Sequence, residues 1–167
     1  QKWGIQWFNR SIATNVARKS REMTLFIRKG IKGFVSLDDG AISLRNILIP
    51  VTRVPSVEPA VHAVVRLISG LHCVSGLITL LHVGEEAMPV VACPEVAGWR
   101  WNRMIKSGEV VEAVNQVARE IDADLIVMTS DGRNGLLDAL CGSHSERILR
   151  ESCCPLLTIP VDGWMAT

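Results

Sequence analysis

The chain is 167 residues long, 48% hydrophobic and 21% charged, with a formal net charge of +1. That is enough for one full domain with a real core plus a remainder. It excludes a strongly basic surface for nucleic acid or acidic membranes as the main partner. No apolar run reaches the roughly 18–20 residues that span a bilayer. The N-terminus has no signal-peptide pattern, because Asn9, Arg10, Arg18 and Lys19 interrupt its apolar residues. Five cysteines without framework spacing and without a C-x-x-C pair point to a reduced, cytoplasmic setting. Scattered cysteines and histidines argue against a metal site, and Cys153 and Cys154 should lie on opposite faces of an extended segment.

The first 34 residues stand apart from the rest of the chain. A shift of 132 places Ser11–Ile27 over Ser143–Ile159, with five identities: Ser11/Ser143, Arg18/Arg150, Ser20/Ser152, Leu25/Leu157 and Ile27/Ile159. Both copies read as a serine-started helix, a short turn and an apolar strand. Residues 1–34 are therefore expected to be the closing helix and strand of a truncated preceding repeat. Gln1-Lys2-Trp3 does not read as a natural start. Residues 35–44 are expected to be a linker turning at Asp38-Asp39-Gly40, and residues 45–162 the main domain.

Asn46–Val51 is a short apolar run with the profile of a strand buried on both faces. Pro55-Ser56 should start a helix, with Pro59 tolerated in its first turn and Val57, Ala60, Val61, Val64, Val65, Ile68 and Leu71 at helical spacing. Leu77–Val83 reads as a second buried strand. Residues 84–100, with Pro89, Pro94 and Gly98, read as a loop, and Trp101–Lys106 as a short strand. From Glu109 the residues Val110, Ala113, Val114, Val117, Ala118 and Ile121 mark an amphipathic helix. Strand Asp124–Met128, a long loop, helix Ser143–Ser152 and strand Leu156–Val161 complete the chain.

Alternating strands and helices predict an α/β fold: a five-stranded, mostly parallel sheet with helices on both faces, plus the N-terminal helix and strand. In such a sheet ligands sit beyond the carboxyl ends of the strands, where strand order reverses. The loops after Val51, Val83 and Met128 all emerge on that edge.

The loop Thr129-Ser-Asp-Gly132-Arg-Asn-Gly135, followed by Gly142-Ser143, admits two readings. A strand feeding a glycine-punctuated loop that ends on a helix N-terminus can hold phosphate through backbone N–H groups and the helix dipole. Ser143-His-Ser-Glu146 is also a capping box, which accounts for Ser143 without a ligand. His144 either donates to a phosphate or is a surface residue. Arg133 and Asp131 divide likewise between ligand and solvated turn, Cys141 between redox-sensitive thiol and bystander. His82 is expected to be a partly buried ring with its nitrogens satisfied. No carboxylate pair, Ser-His-Asp set, Cys-His couple or Walker lysine is present, so no enzyme activity is expected.

Taken together, Ile47-Leu-Ile-Pro-Val51, Leu80-Leu-His-Val83, Asp124-Leu-Ile-Val-Met-Thr-Ser-Asp-Gly132, Gly142-Ser143 and Cys154-Pro-Leu-Leu157 resemble the universal stress protein family over about residues 45–161. Residues 1–30 are similar to the end of a first domain in a tandem-repeat member. The resemblance implies the family's α/β sandwich and a cytoplasmic stress-response regulator. It also implies an adenine nucleotide, ATP or AMP, with magnesium, held at Val51, Thr52, Val83, Met128, Thr129, Gly132, Gly142, Ser143, His144 and Ser145. The family pattern Gly-x2-Gly-x9-Gly-Ser/Thr keeps its last elements at Gly132, Gly142 and Ser143, but Thr129 replaces its first glycine. Thr52 stands where the family commonly has an aspartate. These departures support the alternative, a nucleotide-free module acting through dimerisation or partner binding. The family's last strand pairs with a counterpart, so Met23–Ile27 is expected to pair antiparallel with Leu156–Val161, within the chain or between two chains. The stripe Ile12, Ala13, Val16 and Ala17 would then leave an apolar patch.

Overall fold

The computed structural model describes residues 23–130, 148 and 150–161. In chain order these form β1 (Thr24–Phe26), β2 (Asn46–Val51), α1 (Glu58–Gly70), β3 (Gly76–Val83), β4 (Trp99–Lys106), α2 (Val110–Glu120), β5 (Leu125–Ser130) and β6 (Leu156–Pro160). They make one six-stranded sheet in the order β1-β6-β5-β2-β3-β4. The five strands from β2 to β6 run parallel, as the alternation of elements predicts, and β1 joins β6 antiparallel as a sixth. The antiparallel pairing expected of Met23–Ile27 occurs within this chain, over Thr24–Phe26. The stripe of Ile12, Ala13, Val16 and Ala17 lies outside the described residues.

Period-two alternation sends successive strand residues to opposite faces. Ile47, Ile49 and Val51 of β2, Ile78 and Leu80 of β3, Leu125 and Val127 of β5, and Leu157 and Ile159 of β6 pack with Ala60, Val61, Val64 and Ile68 of α1. Leu48, Leu81, Ile126, Met128 and Leu156 pack on the other face with Val111, Val114, Val117 and Ala118 of α2 and with Ile148. Burial on both faces is why these strands read as unbroken apolar runs.

Several boundaries differ from the sequence reading. α1 starts at Glu58 rather than at Pro55-Ser56, and the Ser56 hydroxyl accepts the Glu58 N–H at 3.3 Å. Glu109 precedes α2 as its N-cap, accepting the Glu112 N–H at 3.0 Å, so this helix begins where expected. The expected loop 84–100 ends two residues early, because β4 begins at Trp99. Gly98, at φ +78°, turns the chain into β4, and the buried Trp99 indole donates to the Cys73 carbonyl at 3.0 Å. Tryptophans and arginines in alternation hide this edge strand from an apolar-run search. Residues 84–98 are nonetheless fastened down: the Trp101 indole donates to Pro94 O at 2.8 Å and Arg103 to Val91 O at 3.2 Å.

The 35–44 segment is a small turn with an antiparallel bridge between Val35 and Ile42. Asp39 accepts the Ala41 N–H at 3.0 Å, and the Ser36 hydroxyl followed by that N–H holds the Asp39 carboxyl below its ordinary pKa. Cys153 is exposed and Cys154 buried, on opposite sides of the chain as expected. Burial, followed by the neighbouring Cys153, pushes the Cys154 thiol up to about 12. Among the described residues no group of side chains is placed to hold a metal ion, and no helix is long and apolar enough to cross a membrane.

Candidate functional site at the carboxyl edge of the sheet

From β2 the chain proceeds outward through β3 to β4, whereas β5 and β6 lie on its other side. Strand order therefore reverses between β2 and β5, and the carboxyl ends there are Val51 and Ser130, the place where sheets of this kind form a ligand crevice. One residue explains how it opens. The Asp124 N–H donates to Asn46 O, so Asn46 faces β5, and the alternation of a parallel ladder turns Leu48 and Pro50 the same way. Proline has no N–H to give. The ladder between β2 and β5 accordingly stops after Ile47–Leu125 and Leu48–Ile126, although both strands continue to their carboxyl ends. On its other side β2 stays paired with β3 as far as Val51 opposite His82.

The face toward α1 carries Val51, His82 and Thr129 at this edge. Val51 shares its face with Ile47 and Ile49, and Thr129 with Leu125 and Val127. His82 is 8% exposed and its Nδ1 lies 3.1 Å from Val51 O. Its Nε2 is buried with no hydrogen-bond partner. The ring is thus satisfied on one side only, which corrects the expectation of a fully satisfied histidine. Gly84 follows closely, and a Cβ there would lie 3.5 Å from that nitrogen. Thr129, 6% exposed, also buries an unpartnered hydroxyl. Buried polar atoms without partners are rare and costly. Two of them bracket the end of β2 on one face. A crevice so lined offers an acceptor or donor from each flank and an apolar floor from Val51.

Thr52, the residue just beyond β2, does not offer a free hydroxyl. Its Oγ1 donates to the Pro55 carbonyl at 3.2 Å. A ligand competes with that bond, whereas an aspartate at this position would present a charged acceptor. Val83 ends β3 and is half-buried, with Gly84 N–H donating to Lys106 O at 2.9 Å. Met128 is buried but packs in the cluster under α2, on the opposite face of the sheet from Val51 and Thr129. The structure therefore gathers Val51, Thr52 and Thr129 at one edge; Val83 ends its strand there too, but its side chain, like that of Met128, packs on the α2 face. Gly132, Gly142, Ser143, His144 and Ser145 lie outside the described residues, as do Asp131, Arg133 and Cys141.

Two contributors escape a reading of the sequence alone. Pro50 sits in what looks like an ordinary buried strand, yet proline in a central strand is itself a signal of interrupted pairing. His82 is evident at its strand end, but only its register opposite Val51 shows which nitrogen is used.

Residues 98–160 match the model of the universal stress protein family. Universal stress protein MJ0531 of Methanocaldococcus jannaschii is 32% identical over 77 residues, which cover 46% of this chain and 45% of that protein. The chain spans about half the length, or less, of the curated relatives it matches. Among solved structures, a universal stress protein from Archaeoglobus fulgidus shares the fold with a TM-score of 0.63 at 19% identity, over 89% of this chain and 53% of that one. A universal stress protein in complex with cAMP matches with a TM-score of 0.50 at 16% identity, over 69% of this chain and 95% of that one. The matched segment, the relatives and the common sheet agree with the motifs read from the residues: residues 98–160 carry the pattern of the universal stress protein family, on a fold that solved members of that family share.

Proposed function

We propose that this chain is a regulatory, non-enzymatic domain that binds an adenine nucleotide, ATP or AMP, in the crevice between β2 and β5. The observation that carries this reading is the pair of unpartnered buried polar atoms, His82 Nε2 and Thr129 Oγ1, beside the end of β2 at the strand-order reversal. The solved relative of this fold in complex with cAMP supports an adenine nucleotide as the ligand class. In this reading Val51, Thr52, Val83 and Thr129 meet the nucleoside. Gly132, Gly142, Ser143, His144 and Ser145 meet the phosphates, which accept from backbone N–H groups and carry the magnesium ion on their own oxygens. Sequence supplies the phosphate half of that list, since Gly132 and Gly142-Ser143 keep the family spacing.

Purified protein, denatured and analysed for released nucleotide, and then titrated with ATP and AMP by calorimetry, tests the proposal. A saturable heat with either nucleotide is expected. Thr52→Asp should tighten binding about tenfold, which corresponds to about 1.4 kcal/mol. No released nucleotide and no heat at millimolar ATP would overturn it.

A second reading, a module that works by strand pairing at β6, is favoured by a different observation. The β6 edge is occupied by β1, a strand distant in sequence.

A further inference from the structure

His82, Val51 and Thr129 form one row across the carboxyl edge. Val51 pairs with His82, and the β2–β5 register of Leu48 with Ile126, continued three residues on, brings Val51 level with Thr129. All three share the α1 face, since Leu80, Ile49 and Val127, two residues back along each strand, lie in that core cluster. The two unpartnered buried atoms, His82 Nε2 and Thr129 Oγ1, belong to the ends of this row, about 10 Å apart at two strand spacings. Their chemistry differs. His82 Nδ1 lies 3.1 Å from the Val51 carbonyl. A carbonyl oxygen only accepts, so Nδ1 carries the ring hydrogen, and in the neutral ring Nε2 keeps a bare lone pair. Doubly protonated, this buried ring would hold a charge and a donor without an acceptor, a costlier state. We propose that His82 selects the base of the bound nucleotide: Nε2 accepts from the exocyclic amino group of adenine, and purines lacking that group are rejected. The inference rests on the nucleotide reading above and deepens it, by assigning which part of the ligand lies at which end of the row.

Chain order sets the direction of the nucleotide. The phosphate-holding residues of that reading, Gly132, Gly142 and Ser143, follow β5 in the sequence, and Thr129 stands next to the last residue of β5. His82 lies on β3, on the far side of β2 from β5. A nucleotide laid across the end of β2 with its phosphates toward β5 carries its base toward β3, because base and phosphate leave the sugar on opposite sides. Thr129 then faces the ribose. Its hydroxyl can both donate and accept, so it does not tell one base from another. His82 does: adenine offers an amino donor where guanine carries an oxygen, and an oxygen there would set lone pair against lone pair. Gly84 keeps room beside the ring, since a Cβ at this position would lie 3.5 Å from Nε2. A donor that arrives answers an acceptor the folded chain leaves unbonded, and a ligand without one leaves it so.

The test titrates the full chain by calorimetry with AMP, with deoxy-AMP and with purine riboside monophosphate, which has hydrogen in place of the amino group. Purine riboside monophosphate should bind about tenfold more weakly than AMP, or worse. In His82→Phe, checked for folding by circular dichroism, that difference should shrink to about twofold or less. The wild-type ring gives a second readout that needs no variant. Magnetic resonance of isotope-labelled histidine should show a bare Nε2 in the free protein, whose signal shifts on saturation with AMP and not with purine riboside monophosphate. Equal affinity for those two ligands would overturn the role of His82 and leave the nucleotide reading standing, as would a hydrogen on Nε2 with Nδ1 bare. A loss with deoxy-AMP that vanishes in His82→Phe would put the ribose at this end and overturn the orientation. No binding of any of these ligands would overturn the nucleotide reading and this inference together.

Discussion

The two ends of this sheet are finished in opposite ways. At the amino end, hydrogen bonds tie the strand starts to one another. Asp124 accepts the N–H groups of Arg45 and Asn46, each at 2.8 Å, while its own N–H donates to Asn46 O at 2.8 Å. Leu77 N–H donates to Arg45 O at 2.8 Å and Gly76 N–H to Gly98 O at 3.2 Å. Two glycines let the chains close up there. A Cβ on Gly76 would lie 2.3 Å from Arg45 O and 2.5 Å from the Trp99 ring, and one on Gly98 2.0 Å from Val74 O. At the carboxyl end the ladder parts at Pro50, and His82 and Thr129 bury unpartnered atoms. The proposed site thus lies on the edge where β2 and β5 part rather than on the edge where the strand starts are tied together.

Mutations at the two ends should therefore differ in sign. Gly76→Ala and Gly98→Ala should be the most damaging, each costing about 3 kcal/mol or more, because backbone or a buried tryptophan must move and Gly98 in addition sits at positive φ. Urea denaturation reads this directly, and a loss under about 1 kcal/mol would show that the amino end is not the tight one. Asp124→Ala comes next. It strips a carboxylate from two backbone donors at the start of β2 and should cost about 2–4 kcal/mol. At the other end Thr129→Val replaces an unpartnered buried hydroxyl by a methyl group of similar shape. It should stabilise the nucleotide-free protein by about 1 kcal/mol, as a raised melting temperature, while weakening nucleotide binding. If it destabilises instead, the hydroxyl is satisfied and the contrast between the ends fails.

The smallest effect concerns Cys154. Its folded pKa is raised from 9.0 to about 12, so its contribution to stability is complete below pH 9.0 and is lost as pH rises toward about 12. Native protein at pH 8 should be alkylated at exposed Cys153 and spared at buried Cys154, with both reacting after denaturation. Equal labelling in the native state would show that the start of β6 is open.

Much of this fold is legible along the chain. Runs such as Asn46–Val51 and Leu77–Val83 have no polar alternation, and only a parallel sheet covered on both faces asks for that. The apolar stripes of α1 and α2 follow 3.6-residue spacing because each helix buries one face. β4 is legible only in part, because an edge strand of tryptophans, arginines and a lysine lacks the apolar signature of its buried neighbours. At the site, Val51, Thr52, Val83 and Thr129 declare themselves by their place at strand ends. The side chains of Val83 and Met128 are nonetheless turned to the other face, since strand parity assigns faces only once the sheet's two sides are known.

By itself the sequence determined the fold class, the direction of the strands and the residues at their ends, because periodicity and burial are local consequences of covering both faces of a sheet. Tertiary structure decided what depends on neighbours far along the chain. The missing N–H of Pro50 faces β5, His82 uses one nitrogen on Val51, and Leu25 meets Leu157 across 132 residues. Hydrogen-bond partners and register are properties of pairs, and no single strand carries the information that fixes them.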